Sequence, residues 1–140
     1  MPVSLGEKNG VVIPPAVLGE IADLTRNQSE HVQTQLLEIT EAGYTPTKLV
    51  YKQYGDLKVF RCGDEMRLFG VIIENLTYLS DFDHIVILLN VSEHEYERAG
   101  IDKRQARRLQ STYAAIESAE AFYDELTGEV FDASAVRRFL

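Results

Sequence analysis

Arg61 and Arg67 stand in two apolar, strand-like runs, Leu57-Lys58-Val59-Phe60-Arg61 and Met66-Arg67-Leu68-Phe69-Gly70-Val71-Ile72-Ile73, on either side of the turn residues Cys62-Gly63-Asp64-Glu65. A guanidinium is always charged and is not left unpaired in an apolar core. Two of them on one face of a hairpin make a fork of donors that matches a phosphate. The structural alternative is that both are solvated, or paired with Glu65 or Glu74, on an exposed sheet face. A second basic group lies further on, at Arg98, Lys103, Arg104, Arg107 and Arg108. Its last four members share one side of a helix by i, i+3 and i+4 spacing, which suits either a solvated face or contact with nucleic acid or an acidic partner segment.

The net charge of −8 argues against indiscriminate nucleic-acid binding by the whole molecule. The acidic surplus falls elsewhere, between Glu30 and Glu41, from Glu93 to Glu97 and from Glu117 to Asp132. The pattern is a basic patch on an acidic body. His31 falls on a helix as a surface residue, His84 opens a strand, and His94 lies between Glu93 and Glu95 as in a solvated loop. His84, His94, Asp81 and Asp83 lack metal-ligand spacing, so no metal and no other cofactor is expected. Ser4 and Ser29 have no nucleophile-elbow context, and Gly63 and Gly70 are isolated rather than part of a phosphate loop.

The elements that must carry these residues follow from periodicity. Val11-Val12-Ile13 makes a short strand or hairpin with Asn9-Gly10 as turn signal, and Pro14-Pro15 starts a helix bearing Val17, Leu18, Ile21 and Leu24. Ser29 is a candidate cap for a second helix whose stripe is Val32, Leu36 and Ile39. Tyr44 to Gly55 reads as a polar connector, and a three-stranded meander then ends with His84 to Val91. Asp102 with Gln105 suggests a capping box for a third helix along Ala106, Leu109, Tyr113, Ile116 and Tyr123. Val130-Phe131, Val136, Phe139 and Leu140 suit a short docking helix. The sum is an α+β domain: an N-terminal helical hairpin packed on a small antiparallel sheet, followed by a C-terminal helix. Residues 1–108 form the domain, and 109–140 a helical extension packed on it. At 140 residues, with 45% hydrophobic and 26% charged, the chain can bury its own core. The lone Cys62 excludes an internal disulfide, no apolar run spans a membrane, and the first residues lack the apolar core of a signal peptide, so a cytoplasmic protein is expected.

The segment Leu57-Lys58-Val59-Phe60-Arg61, Gly63-Asp64 and Met66-Arg67-Leu68-Phe69 resembles the RelE/ParE toxin superfamily, including its RelE/HigB-like and phage-related members. The family pattern is a strand ending Leu-Arg, a Gly-containing turn and a strand beginning Tyr-Arg. The strand Ile85 to Val91, the polar His94 segment and the Arg-rich helix are similar to the family's last strand and helix. The resemblance implies a RelE-like fold and a metal-independent endoribonuclease that cuts mRNA on the ribosome and is silenced by a cognate antitoxin protein. On it, Arg61 and Arg67 would stabilise phosphate charge and His94 would transfer a proton. Lys58, Tyr96, Arg98, Lys103, Arg104, Arg107 and Arg108 would contact RNA. Met66 departs from the pattern, standing where the family has Tyr, and Glu93, Glu95 and Glu97 departs from the basic segment of ribosome-dependent members. Those departures keep a second reading open, a non-catalytic protein acting by protein–protein contact, as a retired toxin, a phage accessory factor or a gyrase-type inhibitor. A rival resemblance, of residues 3–14 to the DNA-binding AbrB/MazE antitoxins, stops at Pro14.

Overall fold

In a computed structural model, residues 6–93 and 99–140 are described. Strand β1 (Asn9–Val12) leads into helices α1 (Pro15–Ala22) and α2 (Arg26–Glu41). After a 3-10 turn at Pro46–Leu49 come β2 (Lys52–Tyr54), β3 (Leu57–Cys62), β4 (Met66–Ile73) and β5 (His84–Glu93). Helices α3 (Ala99–Ala114) and α4 (Ala119–Glu125), strand β6 (Val130–Phe131) and helix α5 (Ala133–Phe139) complete the chain. The six strands form one sheet in the order β2-β3-β4-β5-β1-β6.

The protein is α+β, but a helical hairpin on a small antiparallel sheet followed by a C-terminal helix is not its architecture. The sheet has six strands and is mixed, because β1 runs parallel to β5 (Asn9 opposite His84, Val12 opposite Ile87). It is also covered on both faces. One face packs Phe60, Cys62, Met66, Leu68, Ile72, Val86 and Leu88 against Val17 and Ile21 of α1, Val32, Leu36 and Ile39 of α2, and Val136 of α5. The other packs Leu57, Val59, Phe69, Val71, Ile73, Ile85 and Ile87 against Ala106 and Tyr113 of α3 and Phe122 of α4. This explains why every residue of β4 is buried and why its sequence is apolar almost without alternation.

Local chemistry accounts for the other departures. Asn9-Gly10 is not a turn. Asn9 is buried and its Nδ2 donates to Ile39 O (3.0 Å), Ala42 O (3.2 Å) and Tyr44 O (2.8 Å), so it closes the C-terminal end of α2 against β1. Helix α2 starts before Ser29, because Thr25 and Gln28 form a capping box (Gln28 N to Thr25 Oγ1, 3.2 Å; Thr25 N to Gln28 Oε1, 3.0 Å). Helix α3 begins at Ala99, which leaves Asp102 inside its first turn instead of capping it. It also ends at Ala114, and Ser118 caps a separate α4 by accepting from Ala121 N (3.2 Å). The break lets Phe122 bury fully against Tyr113 and Tyr78, at ring separations of 5.2 and 6.1 Å. Residues 109–140 thus hold the second half of α3, α4, the edge strand β6 paired with β1, and α5, capped by Asp132 and tied to α2 by an Arg137–Glu41 ion pair.

Asn9→Ala strips three backbone carbonyls of their shared donor, two of them at the end of α2. An expected loss of about 2–3 kcal/mol would appear as a lower urea midpoint with unchanged slope.

Candidate functional site

The β3–β4 hairpin is closed by a turn in which Gly63 takes φ +65°, a left-handed conformation that glycine adopts without steric cost. Its register sets Arg61 directly opposite Arg67. Like charges in that position repel, and the structure offsets the repulsion locally. Arg61 donates from Nε to Gly63 O (3.2 Å) and from Nη2 to Asp64 Oδ1 (2.7 Å). Arg67 donates from Nη1 to Met66 O (2.8 Å), with Gly63 O and Asp64 O each at 3.3 Å. Both guanidiniums lie over the ring of Tyr51, 5.6 Å for Arg61 and 5.1 Å for Arg67. Arg67 is 9% exposed; the Arg61 and Asp64 side chains are 52% and 94% exposed.

A β-bulge extends this arrangement to β5. Phe69 pairs with Asn90 but Gly70 pairs with Leu88, so Leu89 is an extra residue. Gly70 is needed there, since a Cβ would lie 2.6 Å from Ile87 O. Beyond the bulge the side chains of β5 exchange faces, and Ser92 becomes the partner of Arg67. From the other side of the hairpin, α2 brings His31 against Gly63 and Gln35 against Arg61.

The assembly sets two unlike arginines side by side. Arg67 is a fixed charge, its Nη1 committed to carbonyls. Arg61 is held by one carboxylate in open solvent, an ion pair worth about 0–1 kcal/mol, so a phosphate can displace Asp64 at little cost. Tyr51, 53% exposed, adds a surface on which a base can stack.

The other residues singled out in the sequence do not join it. Lys58 donates to Gln53 Oε1 (2.9 Å) and Gly55 O (3.1 Å) at the far end of β3. Lys103 lies over Gly55, in the turn before β3, whose first residue Leu57 strand geometry sets roughly 13 Å from Arg61. Arg104, Arg107 and Arg108 are exposed on α3. His94, Tyr96 and Arg98 lie outside the described residues. His84 is structural: its side chain is 3% exposed, its Nδ1 accepts from Asn75 N (3.2 Å), and its Nε2 meets Glu7 Oε2 (2.7 Å). Among the described residues, no three His, Cys, Asp or Glu side chains gather as metal ligands, and no helix is long and apolar enough to cross a membrane.

Sequence reasoning missed Tyr51 and Asp64 as parts of the site, and the contacts that His31 and Gln35 of α2 make with the opposite face of the hairpin. A signal for Tyr51 was present. Tyr54-Gly55-Asp56-Leu57 is a two-residue hairpin with Gly55 at φ +63°; counting back along β2 sets Lys52 opposite Val59, and the residue before it is Tyr51, whose N donates to Val59 O (2.9 Å). Nothing local marks His31, whose contact is between elements distant in sequence.

Arg67→Ala is expected to cost about 2–3 kcal/mol of stability, the value of buried bonds from a charged donor. Arg61→Ala is expected to stay within about 0.5 kcal/mol of the parent; urea unfolding of both variants checks the contrast. Burial beside the hairpin raises the Cys62 thiol from 9.0 to about 12, against the lowering effect of Arg67 and a Leu68 backbone bond. Because the folded value lies above the unfolded one, the neutral thiol's contribution is complete below pH 9 and fades toward pH 12. Stability should therefore fall between these limits, by at most about 1.4 kcal/mol per pH unit for this group, and less steeply in Cys62→Ala.

The sequence matches no protein-family model and no curated protein.

Proposed function

We propose that this chain is the toxin of a toxin–antitoxin pair, a metal-independent endoribonuclease acting on mRNA at the ribosome in the cytoplasm and silenced by a cognate antitoxin protein. The observation that carries the reading is the Arg61–Arg67 cross-strand pair over the exposed ring of Tyr51, with Arg61 half exposed and its ion pair made to a solvent-exposed carboxylate. It is supported by the resemblance of residues 57–69 to the RelE/ParE superfamily.

Cleavage without a metal uses the RNA's own 2′-hydroxyl. Its oxygen attacks the adjacent phosphorus, the bond to the 5′-oxygen breaks, and the products are a 2′,3′-cyclic phosphate and a 5′-hydroxyl. One proton leaves the 2′-oxygen and one reaches the 5′-oxygen. Negative charge gathers on the two non-bridging oxygens, where Arg61 exchanges Asp64 for phosphate and Arg67 supplies a fixed field. Tyr51 stacks a base beside the scissile bond. His94 is the proton-transfer group that the resemblance implies.

Induced expression of the chain, with and without Arg61→Ala, tests this directly. Arrest of growth with cuts in translated messages, both lost or reduced about 100-fold or more in the variant, is the expected result. Normal growth of cells holding the folded parent would overturn it. A second reading, a non-catalytic protein that works by protein contact, is favoured by the commitment of Arg67 Nη1 to backbone carbonyls. That reading requires a folded protein with no RNA cuts, and arrest without cuts would direct attention to gyrase or another protein target.

A further inference from the structure

We propose that the α3-facing side of strand β2, together with α3 itself, carries a track of cations that holds the backbone of single-stranded RNA beyond the Arg61–Arg67 pair. The inference rests on the ribonuclease reading above and names the course of its substrate. Strand register places the first members. Lys52 pairs with Val59 and Tyr54 with Leu57, and Val59 and Leu57 belong to the face covered by α3 and α4. Directly opposed residues share a face, so Lys52 and Tyr54 lie on that side. Arg61, two residues beyond Val59, lies on it too, with its partner Arg67. Lys52 and Tyr54 precede residues 57–69, so the family resemblance does not bear on them.

Helix α3 supplies the rest. Lys103 Cε comes within 3.4 Å of a Cβ built on Gly55, in the turn between β2 and β3. Seven residues on, Gln110 Nε2 donates to Ile72 O (2.6 Å) near the end of β4. Arg107 stands four residues after Lys103 and three before Gln110, hence on the same side of the helix. The track runs from Arg61 past Lys52, along roughly 13 Å of β3, to Lys103 and Arg107 beside the turn.

Several features suit an extended polyanion. Aromatic rings hold the strand cations: Lys52 Nζ lies 5.8 Å from the centre of the Tyr54 ring, as Arg61 and Arg67 lie over Tyr51. Lys52, Lys103 and Arg107 are exposed, and among the described residues none of the three forms an ion pair. Acidic side chains are sparse here although the chain carries a net charge of −8: residues 103–108 contain none, and residues 51–61 contain only Asp56. The exposed ring of Tyr51 at one end favours nucleic acid over an acidic peptide, because a base stacks on it and a carboxylate does not. Phosphate contacts of this kind position a strand without reading its bases. The track is therefore a sequence-independent subsite that leads a strand to the arginine pair.

The test uses the full chain and a fluorescein-labelled RNA single strand of about 12 nucleotides, 2′-O-methylated so that it binds without being cut. Fluorescence anisotropy is followed over a range of salt concentrations. The parent is expected to bind, with affinity falling as salt rises. Lys52→Ala should reduce the slope of log affinity against log salt by about 0.7, and Lys103→Ala combined with Arg107→Ala by about 1.4. The reductions should be equal for oligonucleotides of different sequence. Urea midpoints of these exposed variants should stay at the parental value. On ribosome-bound message, the triple variant should raise KM about tenfold and leave kcat unchanged. Parental slopes in the variants, or no binding by the parent, overturn the track, while cuts in the messages of expressing cells keep the ribonuclease reading. A poly-glutamate peptide that binds the parent more tightly than the RNA at equal salt, with the same losses in the variants, assigns the surface to a protein partner and overturns the RNA assignment. Neither binding nor cutting by the parent overturns both.

Discussion

The hairpin strand β4 lies at the centre of the sheet and is buried along its whole length, so both of its faces must be covered by apolar side chains. That requirement places α1, α2 and α5 on one side and α3 and α4 on the other. It also confines the one charge the strand carries. Arg67 cannot reach water freely, and the turn beside it supplies backbone carbonyls instead. The geometry of the candidate site is a by-product of this confinement: a buried guanidinium fixed in place next to an exposed one that is free to exchange its partner.

The two arginines also show how a site can be strong in an acidic protein. The net charge of −8 acts over distances that salt screens within about 8 Å, while the Arg61–Arg67–Tyr51 group acts at contact. Asp64 neutralises Arg61 and, being almost fully exposed, is easily set aside. The proposed selectivity for a phosphate held against an aromatic ring rests on this local arrangement more than on the overall field.

The strands β3 and β4, the turn between them and the helical stripes of α1 and α2 were legible because each is written in local periodicity. What escaped was written elsewhere. Lys52-Gln53-Tyr54 is a polar edge strand and carries no apolar run; it exists because β3 offers it a partner. Asn9-Gly10 has turn-forming residues but enters a strand, because β5 supplies a parallel ladder and the ends of α2 and its following loop supply three acceptors for the Asn9 side chain. At the site, Arg61 and Arg67 were visible as charges within apolar runs. Ser92 was not, since a bulge of one residue at Leu89 reverses the face that simple alternation assigns. His31 is exposed, as its place on a helix suggests, and the packing of α2 on Gly63 supplies its neighbours.

The pairing of β1 with β5 has a consequence for how the chain is made. Residues 9–12 wait for residues 84–87, and β6, on the outer side of β1, waits for residues 130–131. During synthesis β1 therefore remains unpaired until β5 has emerged, and β6 can join it only about forty residues after that. Contacts of such long sequence separation slow folding and leave a strand edge open to the wrong partner in the interval. Completion of the sheet, and with it the firm seating of α2 through Asn9, is thus tied to strands that emerge long after β1.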